Sequence, residues 1–114
     1  MIKQTVGAFC LGLSFSVTAL ADCGEPPVQP SALPEGSTAT TQEIRAARKL
    51  VLDYSEKVDK YLTCMDQKDA RLVPWLTKEQ QTRREEDLVN LHNSRRDVQV
   101  KLNDAIRAFR NKSK

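Results

Sequence analysis

The side chains able to do chemistry are few and lie far apart in the sequence. His92 is the only histidine, and Cys23 and Cys64 are the only cysteines outside the apolar N-terminal stretch that holds Cys10. Two cysteines and one distant histidine make a poor set of zinc ligands, and no Cys-x-x-Cys spacing suggests thiol–disulfide catalysis. A glycine-rich phosphate loop and a nucleophile elbow are also absent from the sequence. We therefore predict no catalytic residue, no metal site and no cofactor, and we expect the protein not to be an enzyme.

Most charged side chains occur in mixed clusters, a pattern typical of solvated helix faces. Asp53, Glu56 and Asp59 lie among Lys57 and Lys60. Opposite charges four residues apart, as in Glu56 and Lys60, stabilise a helix rather than form a carboxylate site. His92 falls beside an apolar stripe, where a polar flanking position is the simpler interpretation.

Two basic regions are candidate contacts for a partner. Arg95 interrupts an apolar stripe, where its stem can lie along apolar surface while the guanidinium reaches water, or where it can meet a partner. Near the C-terminus, basic residues continue with no acid after Asp104. Such an end suits the helix macrodipole, and with two apolar neighbours it also suits anionic lipid or an acidic partner. The candidate partner contacts are Arg95, Ile106, Arg107, Phe109 and Arg110.

The N-terminus has the order of features found in a signal peptide. Lys3 precedes an apolar run over residues 6–20, and Ala19-Leu20-Ala21 supplies small residues at a cleavage site. The run is shorter than the ~20 residues that span a bilayer, which argues against a membrane anchor. Lipidated cysteines follow glycine or alanine, whereas Asp22 precedes Cys23, which argues against a lipoprotein. We predict a signal peptide over residues 1–21 and bacterial export to the periplasm or the cell exterior.

The exported chain would have about 93 residues and a net charge of about +2. This charge is too small to indicate nucleic-acid binding. A chain of this length with few aromatic residues has a thin core, and small domains of this kind often need covalent support. We predict a disulfide between Cys23 and Cys64, because an even pair in an oxidising compartment usually forms one. An intermolecular bridge through Cys23 and two free thiols are the alternatives.

Three segments follow the predicted signal peptide. Residues 22–40 are rich in proline and are expected to be extended; we call them the strap. A capping box at Thr40 and Glu43 begins a helix over about 41–66, and a second at Thr77 and Gln80 begins a helix over about 77–111. The first helix has apolar residues at alternating steps of three and four: Ile44, Ala47, Val51, Tyr54, Val58, Tyr61 and Met65. The second has a similar stripe: Leu88, Leu91, Val98, Leu102, Ala105 and Phe109.

These elements predict an all-α fold, an antiparallel two-helix hairpin over residues 41–114. The strap would be bonded to helix 1 by the disulfide and would lie across Leu50, Tyr54 and Tyr61. A turn near residue 71 or 72 would leave residues 103 to about 110 beyond the start of helix 1. The alternative is a three-helix bundle with a break near residues 92–95, where helix propensity is low.

Short segments along the whole exported chain resemble an uncharacterised family of small exported proteobacterial proteins. This family has a Cys-x-x-Pro-Pro tail and a Tyr-Leu-x-Cys helix end. The resemblance implies export, a cysteine pair and two helices, but no activity and no functional residue. The matching segments are Cys23-Gly24-Glu25-Pro26-Pro27, residues 34–40, Tyr61-Leu62-Thr63-Cys64 and residues 103–109.

Two classes of function are compatible with the sequence. The first is a non-catalytic interaction or structural protein of the periplasm or cell exterior, which binds a protein partner or a second copy of itself. The second is a protein that binds the envelope surface through its basic C-terminal helix end. Nucleic acid is not expected as a partner of either.

Overall fold

The computed structural model describes residues 23–112, which fold into an antiparallel hairpin of two long helices. Helix α1 spans Thr41–Leu72 and helix α2 spans Lys78–Lys112. A single 3-10 turn, Val73–Trp75, connects them. No strand occurs between residues 23 and 112. The predicted all-α hairpin is therefore confirmed, whereas the predicted signal peptide lies outside the described residues.

Both predicted capping boxes begin the helices. The hydroxyl of Thr40 accepts a hydrogen bond from the Glu43 N–H at 3.1 Å, and the Glu43 carboxylate accepts one from the Thr40 N–H at 2.9 Å. Thr77 and Gln80 exchange the equivalent pair at 3.1 and 3.0 Å. Each box satisfies two backbone donors at the helix start, so side-chain chemistry fixes both starting points.

Helix α1 continues six residues beyond its predicted end at residue 66. Residues 67–72 contain no glycine or proline, and Asp69 in this extension pairs with Arg84 of α2. Pro74 lies in the following turn, while Val73 before it keeps helical angles of φ −48° and ψ −43°. The preference of residues before proline for extended backbone is therefore overridden here. Because α1 is longer than predicted, it is close to α2 in length. Residues 103–110 therefore lie beside the start of α1, and the prediction that they extend beyond it was wrong.

Helix α2 is continuous through residues 92–95, which excludes the three-helix alternative. The low helix propensity of this stretch is outweighed by packing, since Leu91 and Val98 are buried on either side of it. A break would lift one of these side chains from α1, and tertiary burial contributes more to a helix than propensity does.

The core is the seam between the helices, and two ion pairs fix its register. Asp59 pairs with Arg95, and Asp69 pairs with Arg84 at 2.6 Å. The first pair places the middle of α1 against the middle of α2, and the second joins the end of α1 to the start of α2. The buried apolar side chains of the main cluster are Ala47, Val51, Tyr54, Val58, Leu62, Leu91, Val98 and Leu102.

The strap covers one face of this seam as a third layer. A disulfide joins Cys23 to Cys64, with 5.6 Å between the two Cα atoms, as predicted. From there the strap runs back along α1, and Leu33 packs against the core cluster. Leu50 remains 51% exposed, so the strap covers it less than we expected.

The last part of the strap crosses from α1 to α2. Gly36 is buried against the backbone of Ala105, and Ala39 is only 1% exposed. The Thr38 N–H donates a 3.1 Å hydrogen bond to the Glu35 carbonyl, which closes a turn that contains Gly36 and precedes Ala39. The strap is therefore held at two ends, covalently at Cys23 and by close packing at Gly36.

Candidate functional site

The predicted contact residues near the C-terminus divide into inward and outward side chains. Ile106 and Phe109 are partly buried and pack against a second cluster formed by Ala39, Ile44 and Ala105. Lys112 reinforces this junction, since its ammonium group donates to the Ala39 carbonyl and lies 5.2 Å from the centre of the Phe109 ring. These apolar side chains therefore hold the strap to α2. A partner would meet exposed residues instead.

Of the predicted contact residues near the C-terminus, Arg107 and Arg110 are the exposed ones. The Arg107 side chain is 74% exposed and approaches Asp104 only at 3.9 Å, and Arg110 is exposed at the next turn. An exposed pair at this distance contributes little to stability. Both guanidinium groups are therefore available to an anionic partner.

Arg95 lies on the opposite side of the seam from the strap. Its guanidinium pairs with Asp59 and approaches Nδ1 of His92 at 3.3 Å. The side chain is 29% exposed, so its stem covers apolar surface while its head meets solvent and carboxylate. This arrangement satisfies Arg95 within the hairpin.

A groove that sequence reasoning missed runs between the strap and α2. Its volume is about 520 Å³. Pro26, Pro27 and Gln29 of the strap form one wall, and α2 forms the other over residues 84–94. The two tyrosines of α1, Tyr54 and Tyr61, form the floor. The spacing of these tyrosines predicted that they lie under the strap, but no pattern in the sequence predicted that α2 lies beside them.

Tyr54 has an unusual environment at the floor of this groove. The residue is 3% exposed, and its hydroxyl is buried without a hydrogen-bond partner among the described residues. Burial raises the pKa of the Tyr54 hydroxyl above its ordinary value, and the positive charge of Arg95 opposes this shift in part. Buried hydroxyl groups normally have partners, so this atom is an exception that needs an explanation.

We expect the free energy of unfolding to fall as the pH rises above about 10, the ordinary pKa of tyrosine. The unfolded chain releases the Tyr54 proton near that pH, whereas the folded chain retains it because its pKa is higher. The unfolded state then binds fewer protons, so stability decreases with pH. Urea unfolding at about pH 8 and about pH 11, compared with Tyr54→Phe, measures the effect. An equal alkaline loss in both proteins would contradict the assignment to Tyr54.

The tip of the hairpin is an exposed apolar surface formed by Val73, Pro74 and Trp75. Trp75 is 84% exposed and Val73 is 44% exposed. Trp75 is the only tryptophan in the sequence. The sequence contained a signal for this surface, because the apolar residues Val73 and Trp75 flank Pro74 in the segment between the two predicted helices.

Other kinds of site are not found in the part of the chain that the structure describes. No group of three or more histidine, cysteine, aspartate or glutamate side chains between residues 23 and 112 is arranged to hold a metal ion. Within the same range, neither helix is long and apolar enough to cross a membrane. No protein-family model, no curated protein and no solved structure matches the chain.

Proposed function

We propose that this protein is an exported, non-catalytic interaction module that binds a protein partner through the tip of its hairpin. The exposure of Trp75 is the observation that carries this proposal. A tryptophan side chain buries a large area when it is covered, and tryptophan is enriched among the residues that dominate protein interfaces. Leaving the only tryptophan in water gives the isolated chain no stability.

The shape of the hairpin also suits this role. The strap, the disulfide and the ion pairs brace the two helices, whereas the tip lies at the far end from Ala39 and Lys112. Few groups are immobilised when a braced tip enters a partner, so binding costs little conformational entropy. Export to the periplasm or the cell exterior is part of the proposal, and the disulfide supports it because such bonds persist in oxidising compartments.

The test is site-specific photo-crosslinking in the host, with a photoreactive residue in place of Trp75. We expect one discrete crosslinked protein, because the tip is the surface that the partner covers. The matched control carries the same residue in place of Val89, which is 56% exposed on α2. Equal crosslinking at both positions, or none at residue 75, would refute the proposal that the tip binds the partner. A crosslink to a second copy of the chain would mean that the tip mediates self-association instead of binding a different protein.

Once that protein is identified, Trp75→Ala should weaken its binding by at least about tenfold, as expected for a central interface tryptophan. The melting temperature should hardly change, because the side chain is exposed in the free protein. A large loss of stability together with the loss of binding would assign Trp75 a structural role.

A second candidate function is binding to the envelope surface through the basic end of α2, favoured by the exposure of Arg107 and Arg110. Its test uses vesicles that contain an anionic phospholipid. Binding that is lost at high salt and in the double variant Arg107→Ala, Arg110→Ala would support it. Trp75 fluorescence should then stay unchanged, because the tip lies at the other end of the hairpin.

A further inference from the structure

We propose that the groove between the strap and α2 binds a short, extended, uncharged peptide segment with apolar side chains. This site is separate from the tip, and the inference does not rest on the function proposed for Trp75. Four properties of the groove carry it, namely its shape, the apolar side chains that line it, the unpartnered hydroxyl of Tyr54 and the unpaired backbone at Gln29.

The shape of the groove suits a linear occupant. Its walls follow the strap on one side and α2 from Arg84 to Ser94 on the other. Ten helical steps correspond to roughly 15 Å, which matches about four or five residues of extended chain. The groove is open along this length, so a chain can lie in it without threading through the fold.

The groove has a mixed surface, whose apolar part comes from a few side chains on its floor and walls. Tyr61, Met65 and Leu88 are each only partly buried, and each contributes to the groove. Pro26 and Pro27 add rigid apolar wall on the strap side. Proline and aromatic surfaces of this kind bind extended chains through alternate apolar side chains.

The Tyr54 hydroxyl selects a peptide over a hydrocarbon chain. Tyr54 lines the groove, and its hydroxyl is buried beneath the groove surface with no partner among the described residues. A peptide carbonyl would accept its hydrogen bond, whereas an acyl chain carries no acceptor along its length. Residues 25–33 of the strap make no backbone hydrogen bond to the helices, so the strap can move to admit the carbonyl without breaking one.

The same free backbone gives the peptide further partners. Gln29 lines the groove and is exposed, and its backbone N–H and C=O groups make no hydrogen bond within residues 23–112. An extended peptide that lies beside the strap would pair with these groups, as a strand adds to an exposed sheet edge. Pairing of this kind depends on the backbone alone, and the apolar floor supplies the selectivity for side chains.

Charges around the groove disfavour an anionic ligand. The Arg84 guanidinium is already paired with Asp69 at 2.6 Å, and the exposed carboxylate of Asp87 lies at the rim. Gln29, Asn90 and Ser94 add only neutral polar groups. A fatty acid would bring its carboxylate close to Asp87 and to an arginine that Asp69 already neutralises, although Nη2 of Arg84 makes no hydrogen bond, whereas an uncharged peptide meets no repulsion.

The experiment is a nuclear magnetic resonance titration of the oxidised protein with a pool of acetylated, amidated pentapeptides. The pool has leucine, valine or phenylalanine at the first, third and fifth positions and serine or threonine between them. We expect saturable shifts at Leu88 and Asn90, and none at Leu50 on the other side of the strap. Shifts centred on Leu50, or no saturable shifts, would overturn the proposal. If dodecanoate binds in the groove and the peptides have no effect, the ligand of the groove is an acyl chain and the peptide proposal is wrong.

Two pairs of variants make the test specific. Tyr54→Phe should weaken peptide binding by about fivefold or more, because it removes one buried hydrogen bond, and it should not lower the melting temperature. Tyr61→Phe, which also removes a phenol hydroxyl, should change the affinity by less than about twofold. Leu88→Ser should abolish binding, whereas Leu50→Ser should not. Peptide binding that is unchanged in both Tyr54→Phe and Leu88→Ser would refute the groove as the site.

Discussion

Reduction of the Cys23–Cys64 disulfide should lower the melting temperature of this protein by roughly 15–30 °C. The bond joins residues 41 apart in the sequence, and closing a loop of that size stabilises a fold by roughly 4 kcal/mol in the chain-entropy estimate. Domains of this size have a total stability of about 5–15 kcal/mol and lose about 4–8 °C per kcal/mol. The disulfide is therefore a large part of the stability.

The structure adds a second reason for a large effect. Cys23 is the covalent attachment of one end of the strap, and residues 25–33 make no backbone hydrogen bond to the helices. Reduction would release this end and expose the face of Tyr54 and Tyr61 that the strap covers. Loss of the bond thus removes both a constraint on the unfolded chain and a layer of the folded one.

Thermal unfolding followed by circular dichroism, with and without reductant, measures this effect. The control is the double variant Cys23→Ser, Cys64→Ser, whose melting temperature should be low and independent of reductant. A wild-type protein whose melting temperature falls by less than about 3 °C would show that the strap adds little. A disulfide-linked dimer on a non-reducing gel would show that the bond forms between chains in solution.

Gly36→Ala should lower the melting temperature by roughly 10–20 °C, although it adds only one methyl group. A Cβ atom at position 36 would lie 1.9 Å from the Ala105 carbonyl oxygen and 2.9 Å from the Cβ of Ala108. The backbone of α2 cannot yield as a flexible side chain does, so the strap must move away. Overpacking of this kind costs about 1–3 kcal/mol, and we expect the upper end because the strap also carries the buried Ala39.

The other glycine of the strap is the matched control for this change. Gly24 has a positive φ of 74°, and a Cβ atom there meets nothing within 4 Å. Gly24→Ala therefore tests backbone strain, expected to cost about 1–2 kcal/mol, whereas Gly36→Ala tests close contact. Limited proteolysis should cut the strap faster in Gly36→Ala than in the wild type. If Gly36→Ala melts at the wild-type temperature, the contact with α2 is not formed in solution.

The local sequence determined where the helices begin and which residues face inward. Thr40 with Glu43, and Thr77 with Gln80, are complete as four-residue patterns, because a capping box needs only neighbours in the chain. The apolar spacing on α1 placed Tyr54 and Tyr61 on one side for the same reason, since 3.6 residues per turn fixes the direction of each side chain. The pair of Cys23 and Cys64 was also readable once Cys10 was assigned to the predicted signal peptide, because the two remaining cysteines permit only one intramolecular bond.

Only the tertiary structure decided where α1 ends, and much of the candidate site follows from that end. Residues 67–72 have no strong stop signal, and the partner that holds them helical, Arg84, lies 15 residues away from Asp69. The extra turns shift the register of α2, remove the expected overhang, and bring Leu88 and Ser94 beside the strap to complete the groove. The close contact of Gly36 with Ala105 and the unpaired hydroxyl of Tyr54 depend on the same register. Local spacing determines each helix separately, but the register between helices depends on contacts between residues far apart in the sequence.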